Sequence, residues 1–122
     1  MNTHTDLIER YFDTWNETDP ARRRELIAAT WTADAVYVDP LLAGNGHDGI
    51  DSMIRAVHER FPGHTFRRSS EVDGFANNLR FSWALETPQG IPVVKGSDFG
   101  VVDAGGRLRA VTGFLDAVPG EA

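Results

Sequence analysis

The chain has 122 residues, 41% of them hydrophobic and 25% charged, with a formal net charge of −6, a balance that fits one folded globular domain and not a disordered segment. It has no cysteine, which excludes disulfides, thiolate metal ligands and a cysteine nucleophile. The acidic balance argues against a nucleic-acid surface, because the one basic cluster, Arg22-Arg23-Arg24, reads as the solvated face of a helix.

Leu7, Ile8, Tyr11, Phe12 and Trp15 recur at helical spacing and predict an amphipathic helix from about Asp6 to Glu17. Asp19-Pro20 reads as an N-cap followed by a first-turn proline, opening a second helix with Leu26, Ile27, Thr30 and Trp31 as its buried stripe. Ala35 to Val38 is a short β-branched and aromatic strand stopped by Asp39-Pro40. A glycine-rich loop, Gly44 to Gly49, follows, and its Asp48 is placed to cap a third helix. That helix buries Ile50, Met53, Ile54, Val57 and Phe61 and ends at Pro62-Gly63.

Beyond it the period changes from helix to strand. Thr65 to Val72 predicts a strand, with Asp73-Gly74 as its turn. Leu79, Phe81, Trp83 and Leu85 alternate with Arg80, Ser82, Ala84 and Glu86, one apolar face against one mixed face. Two further turns, Pro88-Gln89-Gly90 and Asp103 to Gly106, set off strands from Ile91 to Val102 and from Leu108 to Asp116. In the first of these, Asp98 shares a face with Val94, Gly96, Gly100 and Val102, while Val93, Lys95, Phe99 and Val101 take the other. Both faces are partly apolar, so alternation leaves the inward one open. The order of helices, short strand, helix and strand meander points to the α+β class. With no repeat and no linker, a single domain over residues 1–122 is expected.

No apolar run approaches the roughly 18 residues of a membrane span. Met1 to Asp6 has neither the basic region nor the apolar stretch of a secretion signal, so the expected location is cytoplasmic. His4, His47, His58 and His64 lack metal-ligand spacing, the Gly44-Asn45-Gly46 run lacks the strand–loop–helix setting of a dinucleotide site, and no nucleophile elbow is present. Three polar groups inside apolar elements are left: Tyr11 on the first helix, Asp39 after the first strand and Asp98 in the long strand. Each also has a structural explanation, as a core phenol, an Asp-Pro turn and a bulge cap respectively.

Arg10-Tyr11, Trp15-Asn16, the Asp19 turn, Trp31, Asp34 to Pro40 with the Gly-rich loop after it, Phe81, Trp83 and Leu85, Gly96-Ser97-Asp98-Phe99 and Gly105 to Leu108 together resemble the nuclear transport factor 2-like superfamily. Within it the pattern is most similar to SnoaL-like polyketide cyclases and ketosteroid isomerases. The resemblance implies a cone-shaped fold, with three helices packed on a strongly curved antiparallel sheet that encloses an apolar pocket. It also implies a cofactor-free and metal-free catalytic set of Tyr11, Asp39 and Asp98, with Asp39 as the proton-transferring base. Trp15, Trp31, Tyr37, Met53, Phe61, Phe81, Trp83 and Leu115 would line the pocket around a small apolar molecule. The bulk of Trp15, Tyr37 and Trp83 predicts a space too narrow for a steroid. A homodimer through the outer sheet face of Arg80, Ser82, Ala84 and Glu86 is expected as well. Two alternatives stay open: a non-enzymatic binding or dimerisation module, and epoxide hydrolysis with Arg55, Arg67 or Arg80 as the activating arginine.

Overall fold

Leu7, Ile8, Tyr11, Phe12 and Trp15 all lie on the buried side of the first helix, α1 (Thr3–Asn16), in a computed structural model that describes residues 3–117. The second helix, α2 (Pro20–Thr30), begins as its sequence predicts: the Asp19 carboxylate accepts the Arg22 N–H at 2.8 Å and Pro20 occupies the first turn. Trp31 ends α2 and opens strand β1 (Trp31–Val38), which starts earlier than the Ala35 expected. There follow β2 (Ala43–Asn45), α3 (Gly46–Arg60), β3 (Thr65–Arg68), β4 (Asp73–Phe75), β5 (Asn78–Glu86), β6 (Pro92–Val102) and β7 (Leu108–Ala117). Among the described residues no helix is long and apolar enough to cross a membrane.

The seven strands form one curved sheet in the order β2-β1-β7-β6-β5-β3, with β4 also paired to β5. Every pairing is antiparallel except that of β1 with β7, which is parallel. The class is α+β as expected, but the sheet is mixed. The chain leaves β1 through β2, α3 and four more strands, β3 to β6, and returns beside it as β7, running the same way. Register shifts interrupt the β1–β7, β5–β6 and β6–β7 ladders, and such bulges increase local twist and bend a sheet. The inward face of β6 is the one carrying Val94, Gly96, Asp98, Gly100 and Val102, which resolves what alternation left open. Gly96 is required there, because a Cβ would run into the Trp83 indole stacked against it.

Three local expectations are corrected. Asp73-Gly74 is not a turn but part of β4, paired with Arg80 and Leu79; the reversal comes at Ala76, whose φ is +52°. The predicted strand from Thr65 stops at Arg68, short of Val72. Asp48 does not cap α3: the helix starts earlier, after Asn45, and the Asp48 carboxylate pairs with Arg24 at 2.8 Å.

The largest correction concerns the basic cluster. Arg22 and Arg24 are exposed, but Arg23 is 2% exposed and shares the buried stripe of Leu26, Ile27 and Thr30. Its Nε donates to Asp51 of α3 at 2.7 Å and its Nη1 to the Glu17 carbonyl at 2.9 Å. Asp51 is itself buried and is approached by Arg55 at 3.4 Å. This buried pair locks α2 onto α3. Asp51→Ala strands a desolvated guanidinium and should destabilise the fold by about 3–5 kcal/mol in urea titration. Replacing both partners with apolar residues, Arg23→Met with Asp51→Leu, should recover most of that loss.

Candidate functional site

Helices α1 and α3 and the inner sheet face border a cavity of about 1070 Å³. Tyr11 and Trp15 reach it from α1, Tyr37 and Asp39 from β1 and its end, and Phe66, Trp83, Asp98 and Leu115 from the sheet. All three catalytic candidates therefore border one space, together with Trp15, Tyr37, Phe61, Trp83 and Leu115 of the expected lining. Trp31, Met53 and Phe81 do not line it. They are packed behind it in the core, Trp31 against Tyr11 and Tyr37, and Phe81 against Tyr11 and Phe12. The bulky rings do not narrow the space as predicted: they stand edge-to-face around its wall (Tyr37 on Trp15, Trp15 on Phe66, Phe66 on Trp83) and leave the middle open. Phe66, missed in the sequence, belongs to a strand whose four residues alternate only between exposed and half-buried, so no strong apolar period marked it.

Asp98 is 3% exposed. Its Oδ2 accepts the Tyr11 hydroxyl at 2.7 Å and its Oδ1 the Trp83 indole N–H at 3.0 Å. Burial pushes its carboxyl up to about 6 against the pull of those two donors, and the charge of Asp39 adds to the rise. Burial also raises the Tyr11 and Tyr37 phenols, and the nearby carboxylates raise both further.

Asp39 sits differently. Its Oδ1 accepts the backbone N–H groups of Leu41 and Leu42, each at 2.8 Å, and its Oδ2 accepts the Tyr37 hydroxyl at 2.7 Å. The Asp-Pro turn read from the sequence is thus built by this side chain, which still borders the cavity. The two Tyr–Asp pairs meet over Gly113 of β7. A Cβ there would lie 2.9 Å from Asp98 Oδ1 and 3.0 Å from the Tyr37 hydroxyl, so only glycine lets both pairs keep their places.

The arginines considered for epoxide opening are elsewhere. Arg55, Arg67 and Arg80 are exposed and paired with Asp51, Glu86 and Asp73, and none borders the cavity. Among the described residues no three His, Asp or Glu side chains are grouped to hold a metal ion.

Three helices folded over a curved mixed sheet, around an aromatic cavity with carboxylates at its wall, make up a cone-shaped α+β fold. The chain belongs to the SnoaL-like domain family, whose profile matches residues 8–111. It is similar to a candidate isomerase of the SnoaL-like family from Agrobacterium tumefaciens, with 41% identity and a TM-score of 0.91 over 96% of this chain and 100% of that one. Two more distant structures share the fold. One is a candidate polyketide cyclase from Sinorhizobium meliloti, with 16% identity and a TM-score of 0.70 over 93% of this chain and 99% of that one. The other is an NTF2-like protein of unknown function from Exiguobacterium, with 18% identity and a TM-score of 0.71 over 90% and 98%. No curated protein matches the chain.

The raised Asp98 value makes a stability prediction. Between the ordinary carboxylate value of 3.8 and about 6, the folded protein holds a proton that the unfolded chain has released. The contribution of Asp98 to stability is therefore full below about pH 4, falls as pH rises to about 6, and is constant above that. Wild type should lose on the order of 3 kcal/mol more than Asp98→Asn between pH 4 and 7, measured by urea titration at both pH values. A pH-independent difference between the two proteins would show that Asp98 titrates as an ordinary carboxylate.

Proposed function

We propose that the cavity catalyses cofactor-independent proton transfer beside the carbonyl of an apolar small molecule, as an isomerase or cyclase does, with Asp98 as the base. The observation that carries this reading is a buried carboxylate, raised to about 6 and hydrogen-bonded to Tyr11, at the wall of an apolar cavity. A base tuned towards neutral pH combines a useful ionised fraction with a driving force for proton transfer. Asp98 takes the α-proton and the substrate becomes an enolate. The new carboxylic acid can then donate to the Tyr11 oxygen, freeing the Tyr11 O–H to turn to the enolate oxygen. Return of the proton from Asp98 to a different carbon completes an isomerisation. Asp39, which the family resemblance makes the base, is occupied by the turn; in this reading it holds Tyr37 in place. The family relation supports the chemistry in kind and leaves the substrate to experiment.

The test is exchange of α-hydrogen for deuterium in cyclic ketones, 2-decalone first, followed by NMR in D₂O. Asp98→Asn should slow exchange by about 10²–10⁴-fold, and Asp39→Asn by less than about 10-fold. Unchanged exchange in Asp98→Asn would overturn the assignment, and loss in Asp39→Asn alone would move the base to Asp39. If the wild-type protein binds ketones yet exchanges nothing above background, the non-enzymatic ligand pocket is the better account; the predominance of aromatic and aliphatic lining favours that second reading.

The reading includes a two-fold pairing of copies through the open sheet face. Support comes from Val36, Val38, Phe99 and Phe114, all exposed, Phe114 at 58%. Across the ladders Val38 lies opposite Thr112, Thr112 opposite Phe99, and Phe114 opposite Ser97, so these residues form one apolar area of the kind that marks an interface. It lies on the same outer face as Arg80 and Ser82, which sit opposite Phe99 and Ser97, but its apolar centre is on β1, β6 and β7, and the Arg80 and Glu86 ends of β5 are engaged by Asp73 and Arg67. A dimer burying about 800 Å² per partner is expected in sedimentation at micromolar concentration, and Phe114→Glu should shift it to monomer.

A further inference from the structure

Two aspartates border the cavity, and among the described residues neither has a cationic partner. No ion pair involves Asp39 or Asp98. The groups that face Asp98 are Tyr11 from α1, Trp83 from β5, and Tyr37 and Asp39 from β1 and its end, which are neutral or anionic. From α3 the cavity is bordered by Glu59 and Arg60. The exposed Arg60 lays its guanidinium 5.9 Å from the Phe61 ring centroid, and Glu59 brings a further negative charge. Three carboxylates (Asp39, Asp98 and Glu59) against one guanidinium (Arg60) border the space, and its field is therefore negative.

The walls add to this field. Tyr11, Trp15, Tyr37, Phe61, Phe66 and Trp83 all border the space, and aromatic faces attract cations, most strongly where water is excluded. An anion brought here would lose its hydration and meet two carboxylates. An apolar neutral molecule would gain only its own burial. A cation would gain the carboxylates and the rings together.

We infer that the cavity selects an apolar, ring-bearing ligand that carries a protonated or quaternary amine. This rests on the cavity being the ligand site, as proposed above, and it removes a difficulty in the chemistry. As Asp98 takes the proton it becomes neutral, but the enolate growing beside Asp39 is still opposed by that carboxylate, and a positive centre in the same molecule offsets the opposition.

The experiment compares three naphthalenes of the same frame: 2-(trimethylammonio)naphthalene, its neutral isostere 2-tert-butylnaphthalene, and naphthalene-2-sulfonate. Binding is measured at pH 8 by calorimetry or fluorescence. The cation should bind about 10-fold or more tightly than its isostere, and the sulfonate more weakly than either. Lowering the pH from 8 to 5 should erode the cation's advantage, because Asp98, at about 6, takes up a proton. That measurement needs no variant. Asp98→Asn and Asp39→Asn should each lower the ratio of cation binding to tert-butyl binding, the ratio being the quantity compared between variants and wild type. Equal binding of cation and isostere overturns the inference, and so does a preference that survives both substitutions and the pH change. The exchange assay on the uncharged 2-decalone reports separately: exchange without cation preference removes this inference alone, and cation preference without exchange removes the catalytic reading alone.

Discussion

Burying an ionisable carboxylate is among the costliest things a small fold can do, and here the whole architecture turns on how Asp98 is accommodated. Desolvation of an unpaired charge costs several kcal/mol, and among the described residues no cation is paired with it. Relief comes from two hydrogen bonds that originate on different elements: a phenol from α1 and an indole from β5. To deliver them, α1 must lie across the inner face of β6, Trp83 must sit over Gly96, and β7 must present Gly113 where any side chain would collide. Helix placement, strand register and two glycines thus all bear on how this one carboxylate is held. The same donors that make it tolerable pull its value down against the rise that burial causes, leaving it at about 6.

The α2–α3 side of the molecule solves a related problem differently. There a guanidinium and a carboxylate are buried together, Arg23 with Asp51, and the charges cancel within the core. The two devices stand on opposite principles. One closes a surface between helices and leaves nothing for a ligand. The other leaves its charge uncancelled beside an open space. That contrast distinguishes a structural ion pair from a site when both are equally buried.

Much of this was legible in the residues. The apolar periods of α1 and β5 marked the layers that meet around the cavity, and Tyr11, Asp39 and Asp98 stood out as polar groups on apolar elements that do converge on it. What could not be read follows from the range of the signals. Periodicity is local, so it found the stripe of α2 without telling that Arg23, three and four residues before Leu26 and Ile27, belongs to it; only a partner on another helix explains a buried arginine. The inward face of β6 depended on what β5 and β7 present to it, and alternation within one strand carries no such information. Trp31, Met53 and Phe81 were placed in the lining because large apolar residues serve core and cavity alike, and depth behind the first layer of rings is a tertiary property. The turn at Ala76 was displaced because Asp73-Gly74 has strong turn chemistry, yet pairing with Arg80 and Leu79 won.

The parallel pairing of β1 with β7 sets the order in which this protein can become whole. Strands β5, β6 and β7 join by short reversals and can zip together early, since contacts between near neighbours in the chain close quickly. β1 and the β2 strand folded against it are made long before their partner, and on the β7 side they offer an unpaired backbone until Leu108 arrives beside Trp31. The cavity has no floor until then, because Gly113 and Leu115 arrive on that same strand. A chain emerging from the ribosome therefore carries an open β1 edge until β7 is made, and the cavity is completed only with that strand, at the moment the edge disappears.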